Sequence, residues 1–268
     1  MFDSLISGEA TIRLSIFLAV FSVFVIWEII APRRSLHYSK KIRWLNNLTI
    51  SVINVLLTRL LIPVTVIYIA AFAETSNVGL LNQFNLPVLI AVIIAFLLLD
   101  LAIYLQHVIF HKVDFLWRLH RMHHADLDFD ITTGIRFHPI EMILSHGIKM
   151  LVVLALGPPV IAVLIFEVML NASSMFNHAN IRIPKKLERI LRLIIVTPEM
   201  HRVHHSVKPI ETDSNFGFNL PWWDHLFNTY RAQPQDGHTN MSIGIEQFRD
   251  TKELWLPKLL VQPFRNSN

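Results

Sequence analysis

The chain of 268 residues carries fourteen histidines and no cysteine, so imidazole is the dominant neutral donor it can offer. Eight histidines fall into three clusters: His107-Val-Ile-Phe-His111, His120-Arg-Met-His123-His124 and His201-Arg-Val-His204-His205. On a helix, positions i, i+3 and i+4 share one face, so each cluster aims two or three rings at one point. A metal ion asks for that arrangement: neutral nitrogens fixed by the backbone, about 2 Å from the ion. One HxxHH pattern is expected by chance roughly 0.04 times in such a chain, and two copies on the order of once in a thousand. Eight imidazoles exceed the four to six ligands of a single ion, which makes two metals the natural count. His178, in Phe-Asn-His-Ala-Asn, is the best further candidate ligand. His138, in Arg-Phe-His-Pro-Ile-Glu, is read as a ligand, as a partner holding another imidazole, or as a substrate contact. His37, His146 and His238 belong to no cluster and are read as structural or solvent-exposed. Without cysteine, the chain has no disulfides, thiolate zinc sites, iron–sulfur clusters, thiolate haem or cysteine nucleophile.

The elements that carry these clusters are apolar. Hydrophobic residues make up 53% of the chain and charged residues 16%, with a mean hydropathy of +0.45. They gather in blocks of about 20, as bilayer spans require. The blocks run from about Thr11 to Ala31, Leu48 to Ala73 and Leu86 to Phe110, followed by a long region from Met142 to Met175. The first is too long for a signal-peptide core. The last is interrupted by Gly157-Pro158-Pro159 and reads as two helices joined by a tight turn, a hairpin that dips into the bilayer or crosses it twice. The fold expected is therefore all-α: a multi-pass bundle of about three spanning helices plus a helical hairpin, under a cytosolic helical cap. The whole chain, 1–268, reads as one domain, with its chemistry in about 100–231.

Charge sets the expected orientation. The connection after the first block holds Arg33, Arg34, Lys40, Lys41 and Arg43 without an acid, whereas the one after the second holds only Glu74. The positive-inside rule puts the first connection, and with it the histidine clusters, in the cytoplasm. The basic balance follows from these juxtamembrane residues, and no basic stripe with interleaved aromatics suggests nucleic acid. The last ten or so residues are expected to fray.

With those residues in place, the chain resembles the integral-membrane fatty acid hydroxylase and sterol desaturase superfamily of histidine-box di-iron oxygenases. The likeness covers about Asp100 to Arg231: HxxxH, HxxHH, RFHPIE, FNHANI, VTPEMHRVHH and DSNFGFNLPWWDHLFNTY, in that order. It implies a cap holding two metals, a lipid that arrives from the membrane, and O2 with electrons as co-substrates. Carried over position by position, the ligands fall on His107, His111, His120, His123, His124, His178, His201, His204 and His205. Val108 stands where an Arg commonly follows the first histidine, and His225 and Asn228 replace a common Arg and Gly. No electron-carrier domain is seen, which puts the donor in a separate protein of reductase, cytochrome or ferredoxin type.

An all-histidine site suits two ferrous ions; zinc would bind as a substitute but carries no redox change. The reading is an O2-dependent oxidoreductase that hydroxylates or desaturates a C–H bond of a membrane lipid or sterol-like substrate. Asp100, two turns before His107 on one helix face, is a candidate for orienting the site or for structural pairing. Asp224 is a candidate for orienting a ligand ring or for capping a turn, and Glu141 and Asn215 are held in the same reserve. The competing readings are a zinc hydrolase, for which no HExxH motif is present, and a metal-binding protein or transporter without oxygenase activity. A bacterial inner membrane is the expected location.

Overall fold

In the computed structural model, which describes residues 2–266, the chain is helical, and two isolated β-bridges are its only extended pairings among those residues. The principal helices are α1 (Phe2–Ile30), α2 (Lys40–Leu61), α3 (Val66–Thr75), α4 (Val88–Lys112), α5 (Asp114–His124), α6 (Pro139–Leu156), α7 (Val160–His178), α8 (Lys185–Leu191) and α9 (Pro198–His204). Five segments are long and apolar enough to span a bilayer: Ala10–Ile30, Lys40–Thr75, Val88–Lys112, Pro139–Leu156 and Val160–His178. The protein is thus a multi-pass membrane bundle, and both arms of the expected hairpin reach spanning length.

Two boundaries differ from expectation. The second apolar block is two helices, because proline cannot continue the ladder and Pro63 breaks it; Thr65 restarts it by accepting from the Tyr68 amide. The C-terminus does not fray up to residue 266. Leu256–Val261 forms a helical turn, and the Arg118 and Arg121 guanidinium groups donate to the carbonyls of Pro263, Gln262 and Arg265.

The bundle core joins Val66, Ile67 and Ala70 of α3, Leu99 of α4, Val153 of α6 and Phe166 of α7. At the end remote from the histidines, the α3–α4 connection meets the α6–α7 turn. Gly157 there has φ +59°, and a Cβ on it would lie 2.4 Å from the Val78 carbonyl, so only glycine permits this contact. Helix α1 packs on the periphery through Phe24 on Phe176, and its Arg13 reaches Glu167, which also pairs with Lys149. Lys149 and Glu167 therefore meet inside the bundle.

At the opposite end the first connection folds into the cap. Arg33 pairs with Glu199 at 2.6 Å, and Arg34 donates to the Met241 carbonyl. Arg43, wholly buried, grips both carboxylate oxygens of Asp126 at 2.7 and 2.9 Å and also reaches Asp130. The basic connection and the histidine clusters accordingly share one end of the molecule.

Candidate metal centre

The last two turns of α4 carry His107 and His111, α5 carries His120, His123 and His124, α7 ends on His178, and α9 with the following residue carries His201, His204 and His205. Their rings sort into two groups. His107, His111, His120, His124 and His204 form one, and His123, His178, His201 and His205 the other; within each, one nitrogen per ring lies within 4.8 Å of all the rest. The groups touch: the His124 and His205 rings stack at 4.4 Å. The five remaining histidines join neither group among the described residues. His138 is the correction that matters. It caps α6, accepting from the Ile140 amide on Nδ1 and donating from Nε2 to the Leu260 carbonyl, so both nitrogens are spent on protein.

The outer nitrogens of six of the nine grouped rings are tied down. Nδ1 of His107 donates to the Phe216 carbonyl at 2.8 Å, His204 to Ser214, His178 to Ser174 and His123 to Arg136. His120 Nδ1 lies 2.6 Å from the Glu141 carboxylate, and His111 Nδ1 lies 3.4 Å from that of Asp213. A carbonyl oxygen can only accept, so in His107, His123, His178 and His204 the proton is on Nδ1 and the lone pair on Nε2. Those lone pairs converge. His178 Nε2 is 3.1 Å from His123 Nε2, 3.2 Å from His205 Nε2 and 3.0 Å from His201 Nε2. The lone pairs of His178 and His123, at 3.1 Å, repel unless a cation lies between them. Nitrogens about 2.1 Å from one ion sit about 3.0–3.4 Å apart at octahedral or tetrahedral corners, so the spacing fits a shared ion. In the first group, Nε2 of His107, His111, His120 and His204 is buried without a partner, as are both nitrogens of His124. Buried polar atoms are normally paired, so five orphaned rings facing one point mark a cation site.

Charge agrees with this geometry. Burial, reinforced by neighbouring imidazoles, holds His123, His124, His201 and His205 well below the usual histidine range, and His204 is lowered to about 3. They are neutral donors at neutral pH. Phe137 stacks on His123 at 4.4 Å, and Phe216 and Phe218 stand edge-on to His107, giving the groups apolar walls.

Asp100 and Asp224 touch no imidazole. Asp100 accepts from the Asn219 amide and side chain, the Leu220 amide and the Trp223 indole. Asp224 accepts from the Phe216 and Gly217 amides at 2.8 Å each and from the Thr229 hydroxyl. Both carboxylates shape the loop whose Phe216 and Ser214 carbonyls orient His107 and His204. Asn215, at φ +53°, pins that loop to Met200 and Arg231. Glu141, among the described residues the one carboxylate hydrogen-bonded to a grouped ring, was only weakly marked in sequence. Unmarked altogether was the buried lattice of Arg43 with Asp126 and Asp130, in which Arg43 and Arg136 hold the Asp126 carboxyl low against its burial. Its only trace is the Asp-x-Asp-x-Asp spacing directly after His124.

Comparison with known proteins agrees. Over 157 residues the chain is 27% identical to ornithine lipid hydroxylase OlsE of Rhizobium tropici, covering 59% of this chain and 46% of the relative. Over 171 residues it is 28% identical to alkylglycerol monooxygenase of Danio rerio, covering 64% and 36%. The human alkylglycerol monooxygenase is 27% identical over 163 residues. The chain thus matches roughly a third to a half of the length of these relatives. No solved structure matches. The fatty acid hydroxylase family model matches residues 92–229, just over half of the chain and a span that contains all nine grouped histidines; the chain belongs to the fatty acid hydroxylase family.

Proposed function

We propose that this protein is an O2-dependent di-iron oxidoreductase that hydroxylates a C–H bond of a membrane lipid. The observation that carries the reading is the pair of buried imidazole groups, six of whose nine rings have Nδ1 tied to a protein oxygen, with Nε2 atoms converging at one end of an apolar helix bundle. His107, His111, His120, His124 and His204 would hold one iron, and His123, His178, His201 and His205 the other. Bound iron would supply reductive activation of O2 and the removal of hydrogen from an unactivated C–H bond, chemistry no side chain here can perform. Oxygen ligands are absent from both groups, and an all-nitrogen set suits iron while admitting zinc as an inactive substitute. Hydroxylation is favoured over desaturation because the similar proteins are named as a lipid hydroxylase and monooxygenases.

The chain's own residues do the positioning. The Ser174, Ser214, Phe216 and Arg136 carbonyls keep the ring protons on Nδ1, and Glu141 does the same for His120. Phe137, Phe216 and Phe218 keep water from the groups, where it would compete with an apolar substrate. The balance, R–H plus O2, two electrons and two protons giving R–OH and water, needs a reductant. A cysteine-free chain offers no electron-transfer thiolate, so we assign the electrons to a separate donor protein. The basic first connection, folded onto the histidine end, supports a cytoplasmic site, with a bacterial inner membrane as the proposed setting.

A metal transporter is the second reading. It calls for ligands spread along the bilayer midplane, whereas these rings lie at the ends of α4 and α7 and in the cap. The test is metal content of protein purified in mild detergent, alongside a His120→Ala, His204→Ala variant. About two irons per chain, lost in the variant, together with 18O from labelled O2 appearing in a hydroxylated lipid, is the expected result. One metal or none, unchanged by the substitutions, would sink the reading.

A further inference from the structure

Beyond the metal centre, the segment from 182 to 194 has a composition that the reaction does not use. Leu187, Ile190, Leu191 and Ile194 recur at helical spacing along α8 and the turn that continues it, one apolar stripe. Leu191 packs with Ile181 and Ile183 against Phe24 and Trp27, which lie in the last two turns of the α1 span. That contact fixes the level of α8: it lies beside the end of a bilayer-spanning helix. The rest of the stripe is uncovered. Ile190 is 58% exposed, and Leu193 and Ile194 are 66% and 56% exposed. Trp222, itself half exposed, donates its indole N–H to the Leu193 carbonyl and extends the surface to Leu226. On the α1 side it adjoins the equally bare Ile29 and Ile30.

A second stripe runs along the edge of the first. Arg182, Lys185, Lys186 and Arg189 are all exposed and form no ion pair among the described residues. The acid of this stretch, Glu188, is buried and turned toward the cap, where it holds Arg192 and Thr197. Among the described residues, the surface therefore presents four cations outside any ion pair and no exposed carboxylate beside a row of bare aliphatic side chains. Water penalises that apolar row, and a soluble acidic partner would leave it unexplained; the headgroup layer of a bilayer satisfies both stripes at once.

We propose that α8, the turn after it and Trp222 are embedded in the headgroup layer, and that Arg182, Lys185, Lys186 and Arg189 form a binding site for anionic phospholipid headgroups. The aliphatic stripe enters the acyl boundary, the indole sits at the headgroup level, and the long cationic side chains reach outward to phosphate. The site holds whether or not the chain oxidises lipid, since nothing in it depends on the metal centre.

The absence of cysteine makes the test direct. Full-length Ile190→Cys and, as a cap-side reference, Gln233→Cys are labelled with an environment-sensitive fluorophore. Both are placed in nanodiscs of phosphatidylcholine, with and without a lipid-borne nitroxide quencher. The label at 190 is expected to be blue-shifted and quenched, and the label at 233 to be neither. In parallel, phosphatidylglycerol retained after delipidation is measured by mass spectrometry for the wild type and for a Lys185→Gln, Lys186→Gln, Arg189→Gln variant whose helix content is checked by circular dichroism. Retention is expected to fall roughly tenfold in the variant, with the Ile190 label still quenched. A water-like, unquenched label at 190 would overturn the embedding and leave the face to a soluble partner or a second copy. Equal retention in a folded variant would overturn the headgroup site.

Discussion

The indole of Trp223 donates to the carboxylate of Asp100 across 2.9 Å, fastening the cap to α4 two turns before His107. Asn219 and the Leu220 amide bind the same carboxylate, and the loop they anchor delivers the Phe216 carbonyl to His107. An acid inside a spanning helix thus acts on the metal centre through a loop, without contacting it. Asp100→Asn should cost roughly 1.5–3 kcal/mol, the scale of hydrogen bonds to a charged group, and lower iron affinity about tenfold. Trp223→Phe, which removes one donor of four, should cost about 1 kcal/mol. Thermal unfolding in detergent and chelator competition read the two effects separately; unaltered iron affinity in a destabilised Asp100→Asn would limit Asp100 to a structural role.

Glu141 is the carboxylate placed to orient His120. Glu141→Ala should weaken iron binding about 10- to 100-fold, because such partners fix a ligand ring and raise its basicity. Glu141→Gln keeps an acceptor and should fall between. The order Glu, Gln, Ala in chelator titrations is the check.

Gly134 sits where the turn Ile131–Ile135 crosses α7. A Cβ there would lie 2.6 Å from the Ser174 carbonyl and 3.0 Å from His178 Nδ1, the two atoms of one hydrogen bond. Gly134→Ala should cost about 1–3 kcal/mol as overpacking and should reduce iron content beyond what the lost stability explains. Gly147→Ala, in open space on α6, is the control and should be neutral or mildly stabilising.

The metal-free protein should lose stability as pH falls. His204 has an ordinary value of 6.5 unfolded and is held at about 3 in the fold, so between those values the unfolded chain binds the extra proton. Stability is fully present above about 6.5 and declines as pH drops toward 3. The lowered His123, His124, His201 and His205 act in the same direction. Denaturation midpoints of apoprotein from pH 7.5 to 4.5 should slope accordingly, and bound iron should raise the curve without flattening it, because metal-held rings still exclude the protons that the unfolded chain takes up. A flat profile in apoprotein would contradict the buried neutral rings.

Two arginines of the same basic connection should differ sharply. Arg43 is wholly buried against Asp126 and Asp130, and Arg43→Ala strands two carboxylates, at a cost of about 3–5 kcal/mol. Arg33 pairs with Glu199 where both side chains keep some exposure to solvent, and Arg33→Ala should cost less, about 1 kcal/mol. Equal effects in thermal unfolding would mean that burial does not set the difference.

Several features were legible in the chain by itself because they are local. Apolar run length determined the bilayer spans, Gly157-Pro158-Pro159 determined the hairpin turn, and i, i+3, i+4 spacing determined which rings share a face. The absence of cysteine determined that no metal here is held by a thiolate. The tertiary structure decided how nine rings divide into a five and a four, that His138 spends both nitrogens elsewhere, and that Asp100 and Asp224 serve a loop. It also decided that Arg43, one of several equivalent charges to a topology rule, is buried in the lattice under the centre. The reason is physical. Ring protons are set by carbonyls, and a carbonyl such as those of Ser174, Ser214 or Phe216 has no side-chain identity to read; which one meets a histidine depends on how helices far apart in sequence are docked.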